Sequence, residues 1–390
     1  MDNVVPEIVR ATAAQQPVWH DHARLDWVRT ELASRPALVR AADVDRLRSI
    51  LARVAAGQAH VVQAGDCAED PADRTAGYVA RKTALLDLLA GTLKLITSKP
   101  VVRAGRIAGQ FTKPRSVGTQ LVGGVELPVY RGHMVNSPEP DPLSRRPAPE
   151  RILDCYQAAS DVMGHLGWLD GSVLSGVDAP VWTSHEALLL DYEIPMIRQD
   201  WTGRPVLAST HWPWIGNRTR QIDGAHVALL AQVRNPLSCK VDANITVGEL
   251  LELCERLDPG REPGRLTLIS RMGATAVAGR LPALAAAVRA AGHPVVWLCD
   301  PMHGNTIRTP DGLKTRLMDA MLREVDDFQS AIAAGGGVAG GLHLETTPEN
   351  VTECVANESE LDRVGDKYTS LCDPRLTPEQ AVAVVSAWRG

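Results

Sequence analysis

A cysteine, a histidine and two carboxylates from distant parts of this chain make a mixed ligand set for a divalent cation: Cys67, His303, Glu345 and Asp373. One thiolate, one imidazole and two carboxylates suit manganese, cobalt, iron or zinc better than calcium, which takes oxygen ligands throughout. A lone cysteine is most often a small buried hydrophobe, so it is the joint position of the four, each just past a short apolar run or in the final loop, that marks them out. Cys372 stands beside Asp373 and is a candidate disulfide partner for Cys67, a pairing that would remove the thiolate ligand by oxidation. A second set is basic: Arg106, Lys113, Arg115, Arg218, Lys240 and Arg271 lie at or just beyond apolar runs in a chain of formal charge -5 at pH 7. Guanidinium forks grip carboxylates and phosphates with two prongs while lysine adds point charge, so a local cationic well for small anions is expected.

These residues need a scaffold that brings run ends together. Short apolar, β-rich runs at 60–66, 100–105, 180–186, 205–211, 237–242, 266–273, 294–300 and 341–345 alternate with longer helical segments. That alternation is the pattern of βαβ units and a parallel sheet, and eight such runs predict a closed (β/α)8 TIM barrel, whose C-terminal strand ends converge on one mouth. Arg103, His185 with Glu186, His211 and Asp300 also end predicted strands. Residues 1–58, with apolar positions at helical spacing, are expected as an N-terminal helical extension, and 59–390 as the barrel. Helix starts are expected at TVGE (246–249), by its capping-box spacing, and at TPEN (347–350) and TPEQ (377–380), which place proline at the first helical position. Between the second and third strands runs a connection of about seventy residues (111–180) with a helix-like PERILDCYQAASDVMGHLG, a length that is often functional.

Composition narrows the classes. The 390 residues are 45% hydrophobic and 22% charged, the balance of a globular domain, and the net negative charge argues against nucleic acid as partner. No stretch has the roughly 18 uninterrupted apolar residues of a membrane helix, and MDNVVPEIVR carries no signal pattern, so a cytoplasmic enzyme is expected. Seven scattered cysteines do not form a disulfide framework. No Walker loop, no G-x-G-x-x-G after the first strand and no G-x-S-x-G elbow occur, which disfavours nucleotide binding and serine hydrolysis.

Ordered segments along nearly the whole chain resemble the class II 3-deoxy-D-arabino-heptulosonate 7-phosphate (DAHP) synthases: QAGDCAE (63–69), RIAGQFTKPRS (106–116), PVYRG (128–132), TSHEALLLDYE (183–193), RTRQIDGAHV (218–227), NPLSCKV (235–241), RMGA (271–274), DPMHGNT (300–306), HLETTPENVTECV (343–355) and YTSLCDPRL (368–376). The short N-terminus is most similar to members of phenazine and other secondary-metabolite pathways. The resemblance implies a divalent metal, manganese first, on Cys67, His303, Glu345 and Asp373. It implies phosphoenolpyruvate on Arg106, Arg218, Lys240 and Arg271, and erythrose 4-phosphate on Lys113, Pro114, Arg115 and Ser116 with Glu186. Lys240, Arg218, Glu186 and Asn217 take the catalytic positions, and a homodimer is expected.

Three departures bear on chemistry. The expected GERTR reads GNRTR, so Asn217 replaces a carboxylate able to orient or deprotonate water; YRGD becomes YRGH at His133, and KVGP becomes KVDA at Asp242 and Ala243. They leave two further expectations: a divergent synthase taking another aldehyde, such as an amino- or imino-sugar phosphate, or a catalytically impaired barrel that only binds ligands.

Overall fold

The computed structural model describes residues 11–122 and 124–389; the first ten residues of the expected extension lie outside the described ones. The barrel strands are β1 (His60–Gly65), β2 (Val101–Arg106), β3 (Val181–Ser184), β4 (Trp214–Ile215), β5 (Leu237–Val241), β6 (Leu266–Ser270), β7 (Val296–Cys299) and β8 (Ala339–Glu345). They form one eight-stranded sheet in the order β3-β2-β1-β8-β7-β6-β5-β4, in which every consecutive pair except β3 and β4 is adjacent. The ladders of β1 with β2 and β8, of β6 with β5 and β7, and of β7 with β8 are parallel. The two ends of that order meet just past β3: Glu186 bridges Trp214, the Trp214 N–H donates to the His185 carbonyl at 3.0 Å, and the Ala187 N–H donates to the Trp214 carbonyl at 3.0 Å. The sheet is thus a nearly closed (β/α)8 barrel.

Parallel strands covered on both faces read as continuous apolar runs. Every residue of β5, β6 and β7 is buried, which accounts for the continuous apolar character of their runs. Helix boundaries follow capping chemistry. In α6 (Val247–Leu257) the Thr246 hydroxyl accepts from the Glu249 N–H while Glu249 reaches back to residue 246, and Leu250, Leu253, Cys254 and Leu257 form the buried stripe. In α9 (Pro378–Ser386) Thr377 and Gln380 make the same reciprocal cap, with Pro378 in the first turn. Other helices used below are α1 (His22–Ser34), α2 (Ala41–Ala55), α3 (Ala76–Thr97), α4 (Arg151–His165), α5 (Ala225–Gln232), α7 (Val277–Ala290) and α8 (Met318–Ala334).

Two expectations are corrected. The predicted fourth strand, 205–211, is extended only over Pro205–Leu207 and pairs antiparallel with Ile197–Gln199, not with the barrel. Asp200 forces that hairpin: its Oδ1 accepts from the Thr202 and Arg204 N–H groups at 2.8 and 2.9 Å, a side-chain-built turn. The fourth barrel position falls to two-residue β4. The predicted helix start at 347–350 is irregular chain instead: the Thr347 N–H donates to the Leu376 carbonyl at 3.0 Å and its hydroxyl accepts from the Glu349 N–H at 3.2 Å, a local turn that no helix follows. The long connection carries the hairpin Thr119–Val122/Val125–Pro128 and α4.

The described chain forms two compact units: residues up to Val44 with Ala68–Val79 and Ile107–Asn235, and Asp45–Cys67 with Ala80–Arg106 and Pro236 onward.

Candidate active site

In the second unit, three of the four sequence-derived metal ligands come together. His303 opens the short helical turn after β7, Glu345 ends β8 and Asp373 lies in the loop before α9, with one ligand atom of each within 4.8 Å of the others. His303 Nε2 is 3.1 Å from Glu345 Oε1. Its other ring nitrogen faces Asp300, Nδ1 to Oδ2 at 2.7 Å, and the His303 backbone N–H also donates to Asp300 at 3.1 Å. A carboxylate behind Nδ1 holds that proton in place and turns the Nε2 lone pair toward Glu345, the arrangement of a metal-binding imidazole. Burial lowers the His303 pKa against the pull of Asp300 and Glu345, keeping the ring neutral at pH 7. Burial would raise the Asp300 carboxyl, but His303 and Lys240 hold it well below the ordinary range.

Glu345 is fully buried between two arginines, Arg106 at 2.9 Å and Arg316 at 2.8 Å. Asp373 receives Lys314 at 2.7 Å. Cys67, the fourth expected ligand, is buried with its sulfur 3.3 Å from Ser370 Oγ, and Ser370 donates to the Asp373 carbonyl at 2.6 Å. It is thus one serine away from the Asp373 loop but is not among the three atoms that cluster. Cys67 and Cys372 are both buried, and no disulfide joins them. Imidazole and carboxylate donors in this spacing fit a first-row divalent cation.

The anion-binding candidates of this unit sit at neighbouring strand ends. Arg106 closes β2, donating to the Asp66 carbonyl at 2.9 Å and lying 2.6 Å from His343. Lys240, in β5, is 3.0 Å from Asp300 and 3.3 Å from His303 Nδ1. Burial brings its pKa down to about 8, with Asp300 opposing and Arg106 and Arg271 adding to the fall. Arg271, just past β6, donates to the His303 carbonyl at 3.4 Å. Asp242 is engaged in a turn, accepting from the Asn244 N–H at 3.2 Å.

The first unit holds the other candidates. Glu69 moulds the loop before them: its carboxylate accepts from the successive N–H groups of Ala108 (3.1 Å), Gly109 (2.9 Å) and Gln110 (2.8 Å). Ala108 has φ 62°, a conformation a side chain adopts at a cost. Gln110 passes the order on, its Oε1 accepting from the Glu186 N–H at 2.9 Å. Downstream, the Lys113 N–H donates to the Arg131 carbonyl at 2.9 Å and the Arg115 N–H to Gln15 at 2.8 Å. Lys113 is buried, Pro114 and Arg115 are half-buried, and Ser116 and Arg218 are exposed. Burial and neighbouring Arg115 lower the Arg131 pKa, the mark of two crowded cations. The Glu186 carboxylate lies against Gly216, where an added Cβ would come within 1.9 Å of Oε1. Asn217 accepts from Arg220 Nε at 3.0 Å, and His133 is 3.8 Å from Asp70. The sequence assigns no role to Glu69 or Arg316, whereas Asp300 carries a signal, three residues before His303 and at a predicted strand end.

A nearly closed parallel barrel with a buried ligand cluster and cations at its strand ends defines an α/β-barrel enzyme acting on anionic small molecules. The chain belongs to the class-II DAHP synthetase family, whose model matches residues 5–177 and 174–387, and is an enzyme of the transferase class. It is 54% identical over 392 residues to a probable phospho-2-dehydro-3-deoxyheptonate aldolase of Pseudomonas fluorescens, covering 100% of this chain and 98% of that one. It is 39% identical over 418 residues to the Streptomyces coelicolor phospho-2-dehydro-3-deoxyheptonate aldolase (95% and 93% covered) and 36% over 423 residues to that of Mycolicibacterium smegmatis (95% and 90%). The solved structure of the Francisella tularensis phospho-2-dehydro-3-deoxyheptonate aldolase shares the fold, with TM-score 0.54, 14% identity, and 94% and 97% of the two chains covered. Among the described residues no helix is long and apolar enough to cross a membrane.

Proposed function

We propose that this chain condenses phosphoenolpyruvate with erythrose 4-phosphate to give DAHP and inorganic phosphate, feeding a secondary-metabolite pathway from the cytoplasm as a homodimer. The observation that carries the reading is the meeting of His303, Glu345 and Asp373 within 4.8 Å, with Lys240 3.0 Å from the Asp300 that backs His303. In this reading the three residues, with the Cys67 thiolate as fourth ligand, hold a divalent cation, manganese first. When bound, the cation supplies Lewis acidity toward the aldehyde oxygen.

Arg106, Lys240 and Arg271, with Arg218, hold the phosphate and carboxylate of phosphoenolpyruvate. Lys113, Pro114, Arg115 and Ser116 hold the aldehyde's phosphate, with Glu186 as the nearby carboxylate. Orienting two mutually repelling anions is the larger part of the task. C3 of phosphoenolpyruvate bonds to the aldehyde carbon, water adds at C2, and the C2–O bond to phosphate breaks. Asn217 accepts a hydrogen bond but takes no proton, so Glu186 is left as the carboxylate of that set.

Phosphate release from phosphoenolpyruvate and erythrose 4-phosphate, with the product identified by mass spectrometry across a panel of aldehyde phosphates, tests the reading; release with the seven-carbon product is expected. Turnover only of an amino- or imino-sugar phosphate would shift the assignment to the divergent transferase, which the replacement at Asn217 favours. Ligand binding without turnover of any aldehyde would make the chain a binding barrel, and Asn217→Glu would then be the variant to assay.

A further inference from the structure

Glu324 is fully buried on α8 and has no part in the site as described so far. Burial and the nearby charge of Asp300 push its carboxyl up to about 8. A buried acid is an unfavourable thing to keep unless its contacts require it. Its contacts are specific. Oε1 accepts from the Gly273 N–H at 2.8 Å, and Oε2 accepts from the Asn305 side-chain amide at 2.6 Å. Gly273 lies two residues past Arg271, and Asn305 two residues past His303. Asn305 in turn accepts from the Ala274 N–H at 3.0 Å and donates to the Pro301 carbonyl at 2.8 Å.

The two loops are also pressed together along their backbones. Gly273 has φ +83°, and a Cβ there would lie 2.9 Å from the Gly304 carbonyl oxygen; a Cβ on Gly304 would come within 2.3 Å of the Gly273 nitrogen. Contact this close needs glycine on both sides. Arg271 already touches the second loop through its hydrogen bond to the His303 carbonyl.

From this geometry we infer that Glu324 is a positioning residue that staples the Arg271 loop to the His303 loop, holding the anion-binding guanidinium and the metal-binding imidazole in one fixed arrangement. Cation binding and phosphoenolpyruvate binding therefore depend on the same buried carboxyl, though it touches neither ligand. The inference rests on the functional reading above, in which Arg271 binds phosphoenolpyruvate and His303 the cation. Gln at this position keeps an acceptor for the Gly273 N–H but turns an amide NH2 toward the Asn305 NH2, so one of the two bonds is lost.

The test compares wild type, Glu324→Gln and Glu324→Ala by calorimetric titration with Mn2+ alone, by equilibrium binding of phosphoenolpyruvate, and by KM for each substrate. Loss of a group that orients metal ligands weakens affinity by about tenfold to a hundredfold. Glu324→Ala is expected to weaken both Mn2+ and phosphoenolpyruvate binding to that extent and, with Mn2+ saturating for each variant, to raise the KM for phosphoenolpyruvate while leaving the KM for the aldehyde phosphate unchanged; Glu324→Gln falls between it and wild type. Should the alanine variant not fold, the glutamine variant carries the comparison. A general loss of stability would not separate the two KM values, so an equal change in both overturns the positioning role. Wild-type affinities in both variants overturn it as well. A wild type that binds neither Mn2+ nor phosphoenolpyruvate overturns the functional reading and this inference together, whereas a wild type that binds both, with variants that match it, overturns only the role of Glu324.

Discussion

Acid should weaken the first unit through His211. The imidazole is wholly buried, its ring centroid 4.2 Å from that of Trp168 and 5.2 Å from that of Trp182. Its Nδ1 accepts from the Thr183 N–H at 3.2 Å, which puts the ring proton on Nε2. Burial alone drops its pKa from 6.5 to about 3. Between those values the unfolded chain takes up a proton that the native ring refuses, so the unfolded state binds more protons and stability falls as pH falls. The fall is about 1.4 kcal/mol per pH unit for this one group: about 2.7 kcal/mol by pH 4.5, and on the order of 5 kcal/mol by pH 3. His211→Asn isolates the effect, since Asn can still accept from Thr183 but does not titrate. Losing ring packing against two tryptophans should destabilise the variant at pH 7 by roughly 2 kcal/mol. Urea unfolding at pH 7.0, 5.5 and 4.5 should then show the gap to wild type narrowing by pH 5.5, with the two proteins about equal near pH 5 and the variant the more stable at pH 4.5. Parallel stability curves across that range would refute the reasoning, because they would mean that the native ring titrates normally.

Arg316→Met should cost about 3–5 kcal/mol by urea unfolding, since it leaves the buried Glu345 carboxylate with one of its two arginines; an unchanged midpoint would remove Arg316 from the account of how Glu345 is held. Glu69→Ala strips the acceptor from three successive N–H groups, and the KM for the aldehyde phosphate should rise about tenfold or more while that for phosphoenolpyruvate stays put; the opposite split would place the 108–110 loop with the other substrate. Cys67→Ser replaces a thiolate with a weak hydroxyl ligand and should abolish tight Mn2+ binding in a folded barrel. Wild-type Mn2+ affinity in that variant would leave His303, Glu345 and Asp373 to hold the ion without it.

What was legible in the sequence was whatever leaves a local trace. Strands such as LSCKV and LTLIS are buried on both faces and must be apolar throughout, so they announce themselves. Trp214–Ile215 is two residues long and leaves no period to read, while the stronger β pattern of 205–207 belongs to a hairpin that Asp200 builds. The same division runs through the site. His303 and Glu345 sit where predicted strands end and could be nominated from position alone. Glu324 sits on α8 two residues before Asp326 and Asp327, where an acid looks like part of a solvated face; only the packing of that helix turns its carboxyl inward, to two loops about fifty and about twenty residues away in the chain.

The charges around His303 are better explained by ligand binding than by stability. In the second unit Arg106, Lys240, Arg271, Arg316 and Lys314 gather about three carboxylates, Asp300, Glu345 and Asp373. Buried ionic networks of this kind are seldom more stable than apolar packing of the same volume, because desolvation offsets the attraction. The depressed Lys240 pKa is the local sign that compensation is incomplete: Asp300 and Glu345 support the ammonium, yet burial and the two arginines outweigh them. An anion placed beside Lys240 would supply the missing compensation, so the work of assembling and drying those cations is done during folding rather than when substrate arrives. Preorganisation of that kind acts on every charge the bound anions carry and costs no rearrangement during reaction. In the proposed reading, the carboxylates that keep the network tolerable in the free protein are also those that orient His303 and would hold the ion, so that the proposed cation and anion sites would be tied through shared side chains rather than through a separate relay.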